Sequence, residues 1–131
     1  LIVVFNSSPL IFLTKLDYIN DTLTLFDRVI IPPSVSEELT VKDDFVKSTL
    51  LKLLNTGRIE IKNLELSRLR LSLKRRLGHG ESDAIALAVQ INADMIILDD
   101  YTARKIAMDL GLTVKGTLGI IKKLASEQRF I

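Results

Sequence analysis

Apolar residues run unbroken at Leu1-Ile2-Val3-Val4-Phe5, Val29-Ile30-Ile31 and Met95-Ile96-Ile97-Leu98. Short runs of this kind, bounded by polar residues, predict strands buried on both faces of a parallel sheet. Ile59-Glu60-Ile61 alternates as a half-exposed strand does, and Thr113-Val114 suggests a short final one. Between these runs the spacing turns helical. Ser8 is placed to cap a helix with Pro9 at its first position, continuing through Leu10, Leu13 and Leu16. Pro32-Pro33-Ser34 opens a helix carrying Val35, Glu37, Glu38 and Leu39. From Asp43 to Asn55, the residues Val46, Thr49, Leu50, Leu53 and Leu54 share one side, and Thr56-Gly57 ends the pattern. The stretch from Leu64 to Leu77 fits a helix through Leu66, Leu69, Leu73 and Leu77, or a strand through Leu69, Leu71 and Leu73. Its length and its many Leu, Arg and Lys residues favour the helix. A helix from Glu81 to Ile91 follows. Ala103, Ile106, Ala107 and Leu110 then trace a helical stripe ended by Gly111, and a last helix runs from Leu118 to Leu124.

Alternating strands and helices predict an α/β domain built on a mainly parallel sheet. With 131 residues, and no linker, repeat or low-complexity segment, residues 1–131 read as a single domain. Hydrophobic residues are 47% and charged residues 26%, so a full-sized core is affordable. Aromatic residues are only 5%, with no Trp, which argues against base-stacking platforms and RRM-type sheets. The absence of Cys excludes disulfides and thiolate metal sites and fits a reducing, cytoplasmic setting. No apolar run is long enough to span a membrane, and the opening residues lack the layout of a secretion signal. A net charge of +2, with a pI near 9.0, is compatible with a nucleic-acid substrate without demanding one.

The candidate chemistry is carried by acids and one amide. Parallel strands deliver their C-terminal ends to one edge, and sites form there where the strand order reverses. Asn6 follows the first strand, and Asp99 and Asp100 follow the run ending at Leu98. Glu37 and Glu38 ride the helix after the second strand, and Glu81 and Asp83 open the helix leading into the fourth. Any one of these acids could simply complement a helix dipole or cap a helix. Four separate stretches delivering oxygens to one edge favour a cation site. Carboxylate and amide oxygens without His or Cys suit Mg²⁺ or Mn²⁺ rather than zinc, and such ions support in-line phosphodiester displacement.

Phe5-Asn6-Ser7-Ser8-Pro9-Leu10-Ile11, Ile31-Pro32-Pro33-Ser34-Val35-Ser36-Glu37-Glu38-Leu39, Gly80-Glu81-Ser82-Asp83-Ala84-Ile85-Ala86-Leu87-Ala88 and Leu98-Asp99-Asp100 with Ala103-Arg104 stand in an order that resembles the PIN domain. Within that family, the chain is most similar to the prokaryotic PIN-like proteins related to VapC toxins. The resemblance spans nearly the whole chain, and the Gly-Glu-x-Asp-Ala block is its most specific part. It implies a three-layer α/β/α sandwich and a metal-dependent endoribonuclease, often the toxin of a toxin–antitoxin pair. Such a protein would take Mg²⁺ or Mn²⁺, bind a small antitoxin protein, and commonly form a homodimer. By the same resemblance Asn6 occupies the first acidic position and Glu38 the second, with Glu37 as its substitute. Asp83 takes the third, with Glu81 as an accessory acid, and either Asp99 or Asp100 takes the fourth. The metal set is then Asn6, Glu38, Glu81, Asp83, Asp99 and Asp100, with Glu38, Asp83, Asp99 and Asp100 as the catalytic acids. Asn6 stands where Asp is usual, which removes a charge and a proton acceptor. That departure keeps a second expectation open: a PIN-like protein that binds nucleic acid or a partner with weak or no cleavage.

Arg68, Arg70, Lys74, Arg75 and Arg76 form the densest basic stretch, read either as an RNA-backbone track through Arg68, Arg75 and Arg76 or as an ordinary solvated face. Arg104 lies one turn beyond Asp100, placed either to meet a phosphate or to pair with that acid. Ser7 or Ser8 could hydrogen-bond a water on the metal. His79, between Gly78 and Gly80, reads as a turn residue, and a dinucleotide-binding fingerprint fails there because no third glycine follows. A receiver-type phosphorylation domain would need an acidic pair where this chain has Asn6-Ser7.

Overall fold

A computed structural model describes residues 1–41 and 44–127. Strand β1 (Ile2–Phe5) has no polar side chain and is buried along Val3, Val4 and Phe5, as a central parallel strand must be. It lies between β2 (Arg28–Ile31) and β4 (Met95–Ile97), with β3 (Glu60–Ile61) and β5 (Val114–Lys115) at the edges. The order is β3-β2-β1-β4-β5 and every pairing is parallel. Register places Val3 beside Val29 and Phe5 beside Ile97, so β1 and β4 end level with one another.

Eight helices are present among the described residues. Helices α1 (Ser7–Lys15), α2 (Ile19–Leu23), α4 (Phe45–Asn55) and α8 (Thr117–Ser126) make one group linked through α1. Helices α5 (Ser67–Lys74), α6 (His79–Gln90) and α7 (Tyr101–Asp109) make the other, linked through α6. Helix α3 (Pro33–Leu39) starts where β2 ends and touches both α1 and α6. The architecture is the expected α/β/α sandwich. Its α6 packs against β1 and β4 and is buried from Ser82 to Ala88, because alanines at 84, 86 and 88 let it lie close to the sheet. None of the helices among the described residues is long and apolar enough to cross a membrane.

The local departures have physical causes. Helix α1 begins at Ser7 with Asn6 as its N-cap, so Ser8 lies inside the first turn rather than capping it. Helix α2 was not expected. Its inward stripe of Ile19, Thr22 and Leu23 includes a threonine whose hydroxyl donates to the Tyr18 carbonyl, which hides the apolar signal. Helix α4 starts at Phe45 behind Asp44, whose carboxylate accepts from the Lys47 N–H at 3.1 Å; the expected start, Asp43, lies outside the described residues. The stretch between Leu64 and Leu77 is helical only from Ser67 to Lys74, with Leu73 alone fully buried. The turn expected at Gly78-His79-Gly80 is already the start of α6, with Gly78 as N-cap.

Candidate active site

Because β1 and β4 are adjacent and their following helices, α1 and α7, leave for different groups, a crevice opens beyond their C-terminal ends. Asn6 leaves β1 there, its backbone N–H donating to the Ile97 carbonyl at 3.0 Å. A cleft of about 280 Å³ occupies the crevice, lined by Asn6, Ser7, Glu38, Glu81, Asp99 and Asp100 among others. The structure thus gathers four of the expected acids around the expected amide.

Each side chain reaches the cleft by a different route. Asn6 is 6% exposed, and its side-chain oxygen is buried with no hydrogen-bond partner. An amide oxygen left in that condition costs free energy unless a cation or donor meets it. Glu38 approaches from α3 and accepts from the Ser7 hydroxyl at 3.3 Å. Its carboxylate lies where a side chain on Gly80 would stand: a Cβ there would come within 1.7 Å of Glu38 Oε1. A side chain at position 80 would therefore push the Glu38 carboxylate, the far end of a flexible side chain, out of its present place. Although Glu38 keeps solvent contact, the protein crowded around it raises its pKa above the ordinary glutamate value. The Ser7 hydrogen bond and the His79 charge act in the opposite sense. Glu81 is also raised, first by desolvation and then by the charge of Asp100, while a backbone hydrogen bond from Gly78 lowers it.

Asp99 and Asp100 are separated by what they already hold. Both oxygens of Asp99 are engaged by Thr117, from its N–H at 2.7 Å and its hydroxyl at 2.6 Å, so Asp99 serves as the cap of α8. Asp100 caps α7 through Oδ2 alone, accepting from the Ala103 N–H at 2.9 Å. Arg104 does not pair with Asp100. It donates to the Leu98 carbonyl at 2.9 Å and packs so tightly on Gly116 that a Cβ there would lie 2.7 Å from Nη1.

Asp83 is placed differently from the other acids. It is 2% exposed and stands behind the cleft, lining a separate cavity. Its Oδ2 accepts from the Ser34 hydroxyl at 2.5 Å, and its Oδ1 lies 2.7 Å from Arg70 Nε. The Arg70 contact lacks hydrogen-bond alignment, so charge rather than direction holds it. His79 Nε2 lies 3.6 Å from Oδ2. Asp83 thereby ties α3, α5 and α6 together. Arg68, Arg75 and Arg76 are exposed, whereas Arg70 turns inward, so the basic stretch divides between two duties. The sequence set Arg68, Arg75 and Arg76 apart from Arg70 without showing that Arg70 turns inward, and Ser34 and Thr117 carried no chemical signal of their own.

The donor set fits a hard divalent cation: an orphaned amide oxygen, two glutamates with raised pKa and one aspartate with an oxygen to spare. Among the described residues, no three acidic or histidine side chains already converge tightly enough to hold an ion. The backbone positions are assembled, and the long Glu38 and Glu81 side chains would have to re-aim to complete a shell.

Comparison with known proteins agrees with the geometry. A family model described as a PIN domain matches residues 2–131. No curated protein matches the chain. PIN domains are generally nucleases and typically employ divalent ions. The match begins one residue from the start and runs to the last, and the chain belongs to the PIN-domain family.

Proposed function

We propose that this PIN domain is a Mg²⁺- or Mn²⁺-dependent endoribonuclease of the VapC-related kind. The observation that carries the reading is the buried, unpartnered oxygen of Asn6, a residue that lines one cleft with Glu38, Glu81, Asp99 and Asp100. Asn6, Glu38, Glu81 and Asp100 are the residues that would hold the ion, with Asp99 fixing the floor through Thr117. When bound, the ion supplies Lewis acidity to the scissile phosphate and the attacking water. Glu38, its orientation set by Ser7 and its pKa raised above the ordinary glutamate value by the protein crowded around it, is the group suited to accept a proton from the attacking water. Asn6 contributes an oxygen but takes no proton. Asp83 acts from behind by fixing α3 against α6, and thus Glu38 against Glu81. Arg104 and Lys115, beside Asp99 in a neighbouring cavity, offer positive charge to the phosphates of an RNA strand, with Arg68, Arg75 and Arg76 farther out.

The same reading makes the protein the toxin of a toxin–antitoxin pair, acting as a cytoplasmic homodimer. Exposed Phe12 and Leu118, which line one shallow cavity, supply apolar surface for a partner. The test is cleavage of end-labelled RNA with Mg²⁺ or Mn²⁺. Cutting that is abolished by chelation and by Glu38→Gln or Asp100→Asn supports the proposal; RNA left intact with both ions removes it. Asn6 motivates a second reading, a nucleic-acid or partner-binding protein with little cleavage. Asn6→Asp separates the two, because a large gain in cutting would mark the natural site as impaired.

A further inference from the structure

Behind the acidic cleft lies a cavity of about 290 Å³ whose walls include Pro33, Glu37, Asn63, Leu64, Arg70 and His79, with Asp83 at its base. His79 belongs to the walls of both spaces, so the second cavity adjoins the place where a scissile phosphate would lie. We propose that this cavity is a subsite for the nucleobase next to the cleaved bond, selecting guanine; the proposal rests on the nuclease reading above.

Three observations favour a base over a phosphate. Glu37 and Asp83 bring two negative charges against the one permanent positive charge of Arg70, so the cavity repels a backbone phosphate. Its surfaces are otherwise those that hold an unstacked base: a planar guanidinium and an imidazole for stacking, with Pro33 and Leu64 as apolar walls. The volume is at the lower end for a small-ligand pocket, about 300 Å³, which suits one ring system. Recognition would then fall to Glu37 and Asn63, whose side chains have no hydrogen-bond partner among the described residues. A carboxylate accepts best from two adjacent N–H groups, and guanine alone among the four bases presents such a pair on its Watson–Crick edge.

The cavity is also held in shape before any ligand arrives. Arg70 is ion-paired at 2.7 Å with Asp83, which accepts from Ser34 in turn at 2.5 Å, so the guanidinium is held at the cavity wall before a ligand arrives. Gln90 fixes the loop that presents Asn63, donating to the Asn63 carbonyl at 3.2 Å and accepting from the Glu65 N–H at 2.7 Å.

The test has two arms, one without catalysis. In the first, guanosine and uridine, neutral nucleosides that bring no phosphate near the acids, are titrated in chelator into the isotopically labelled protein. Guanosine should shift the amide resonances of Asn63, Leu64 and Arg70, with affinity reduced about tenfold by Asn63→Ala and by Glu37→Gln, while uridine shifts them weakly. In the second, RNAs differing only in the nucleotide beside the cleaved bond are compared, and Asn63→Ala should erase a guanine preference. Guanosine binding in the cavity by a protein that cuts no RNA would keep the subsite and remove the nuclease. Cleavage indifferent to the neighbouring base, with no nucleoside shifts around Asn63, would overturn the subsite and leave the nuclease standing. Variants of Asp83 or Arg70 are avoided, since either leaves a charge without its partner.

Discussion

At the scale of single residues, the acids of the cleft act against the stability of the domain that holds them. Glu38 and Glu81 bind protons more tightly when folded than when unfolded, chiefly because burial disfavours their charged forms. The folded state therefore holds more protons, and stability falls as pH rises from the ordinary glutamate value of 4.5 through the raised folded values. Glu60, lowered by its hydrogen bonds from Arg28, contributes the opposite slope, so variants must be compared with wild type at each pH. In chelator, Glu38→Gln and Glu81→Gln should each melt slightly above wild type at neutral pH, the gain at Glu38 reduced by the solvent that reaches it, and at the same temperature as wild type well below pH 4.5. Equal melting temperatures across the range would show that the cleft carries no such penalty. Gly80→Ala should weaken Mn²⁺ binding about tenfold or more, because the added Cβ narrows the space in which the Glu38 carboxylate can turn toward an ion. Calorimetry checks this, with unchanged affinity as the contrary result. The positions of Asn6 and of the Asp99-Asp100 pair were legible because each directly follows an unbroken apolar run. The inward turn of Arg70 was not, because its partner Asp83 sits on another helix, farther along the chain.

Among the elements, α6 is the hub, and the ties made by Asp83 decide how α3 and α5 meet it. Removing this carboxylate leaves Arg70 facing a buried site with no counter-charge. Breaking a fully buried pair costs about 3–5 kcal/mol, and Arg70, at 35% side-chain exposure, recovers part of that from solvent. Asp83→Ala should accordingly lower unfolding free energy by about 2–3 kcal/mol in urea titrations. A change within a few tenths of a kcal/mol would mean that α3, α5 and α6 need no such tie. The central strands were readable because parallel strands buried on both faces are apolar throughout. The two-residue strands β3 and β5 were located to within a residue, which is the limit when one or two pairings define an edge. Helix α2 escaped because five residues give too short a period, and one of its three inward positions is a threonine.

For the molecule as a whole, the reversal of strand order between β1 and β4 turns dispersed acids into a site. Periodicity gave the α/β class, but not the strand order, which depends on long-range pairing that no local pattern encodes. The family likeness supplied the three-layer sandwich in advance, and the fold agrees with it. The likeness also grouped Asp83 with the cleft acids; its charge is felt at Glu38, while its hydrogen bond and ion pair are with Ser34 and Arg70. Which oxygens meet a cation is a matter of side-chain geometry, beyond what spacing along the chain can specify. Binding of Mn²⁺ to the metal-stripped protein, followed by titration calorimetry for wild type and for the Glu38→Gln/Glu81→Gln pair, tests the central claim most directly. The expected result is one saturable site in wild type, weakened at least about tenfold in the double variant. Mn²⁺ affinity that is the same in both proteins would contradict it.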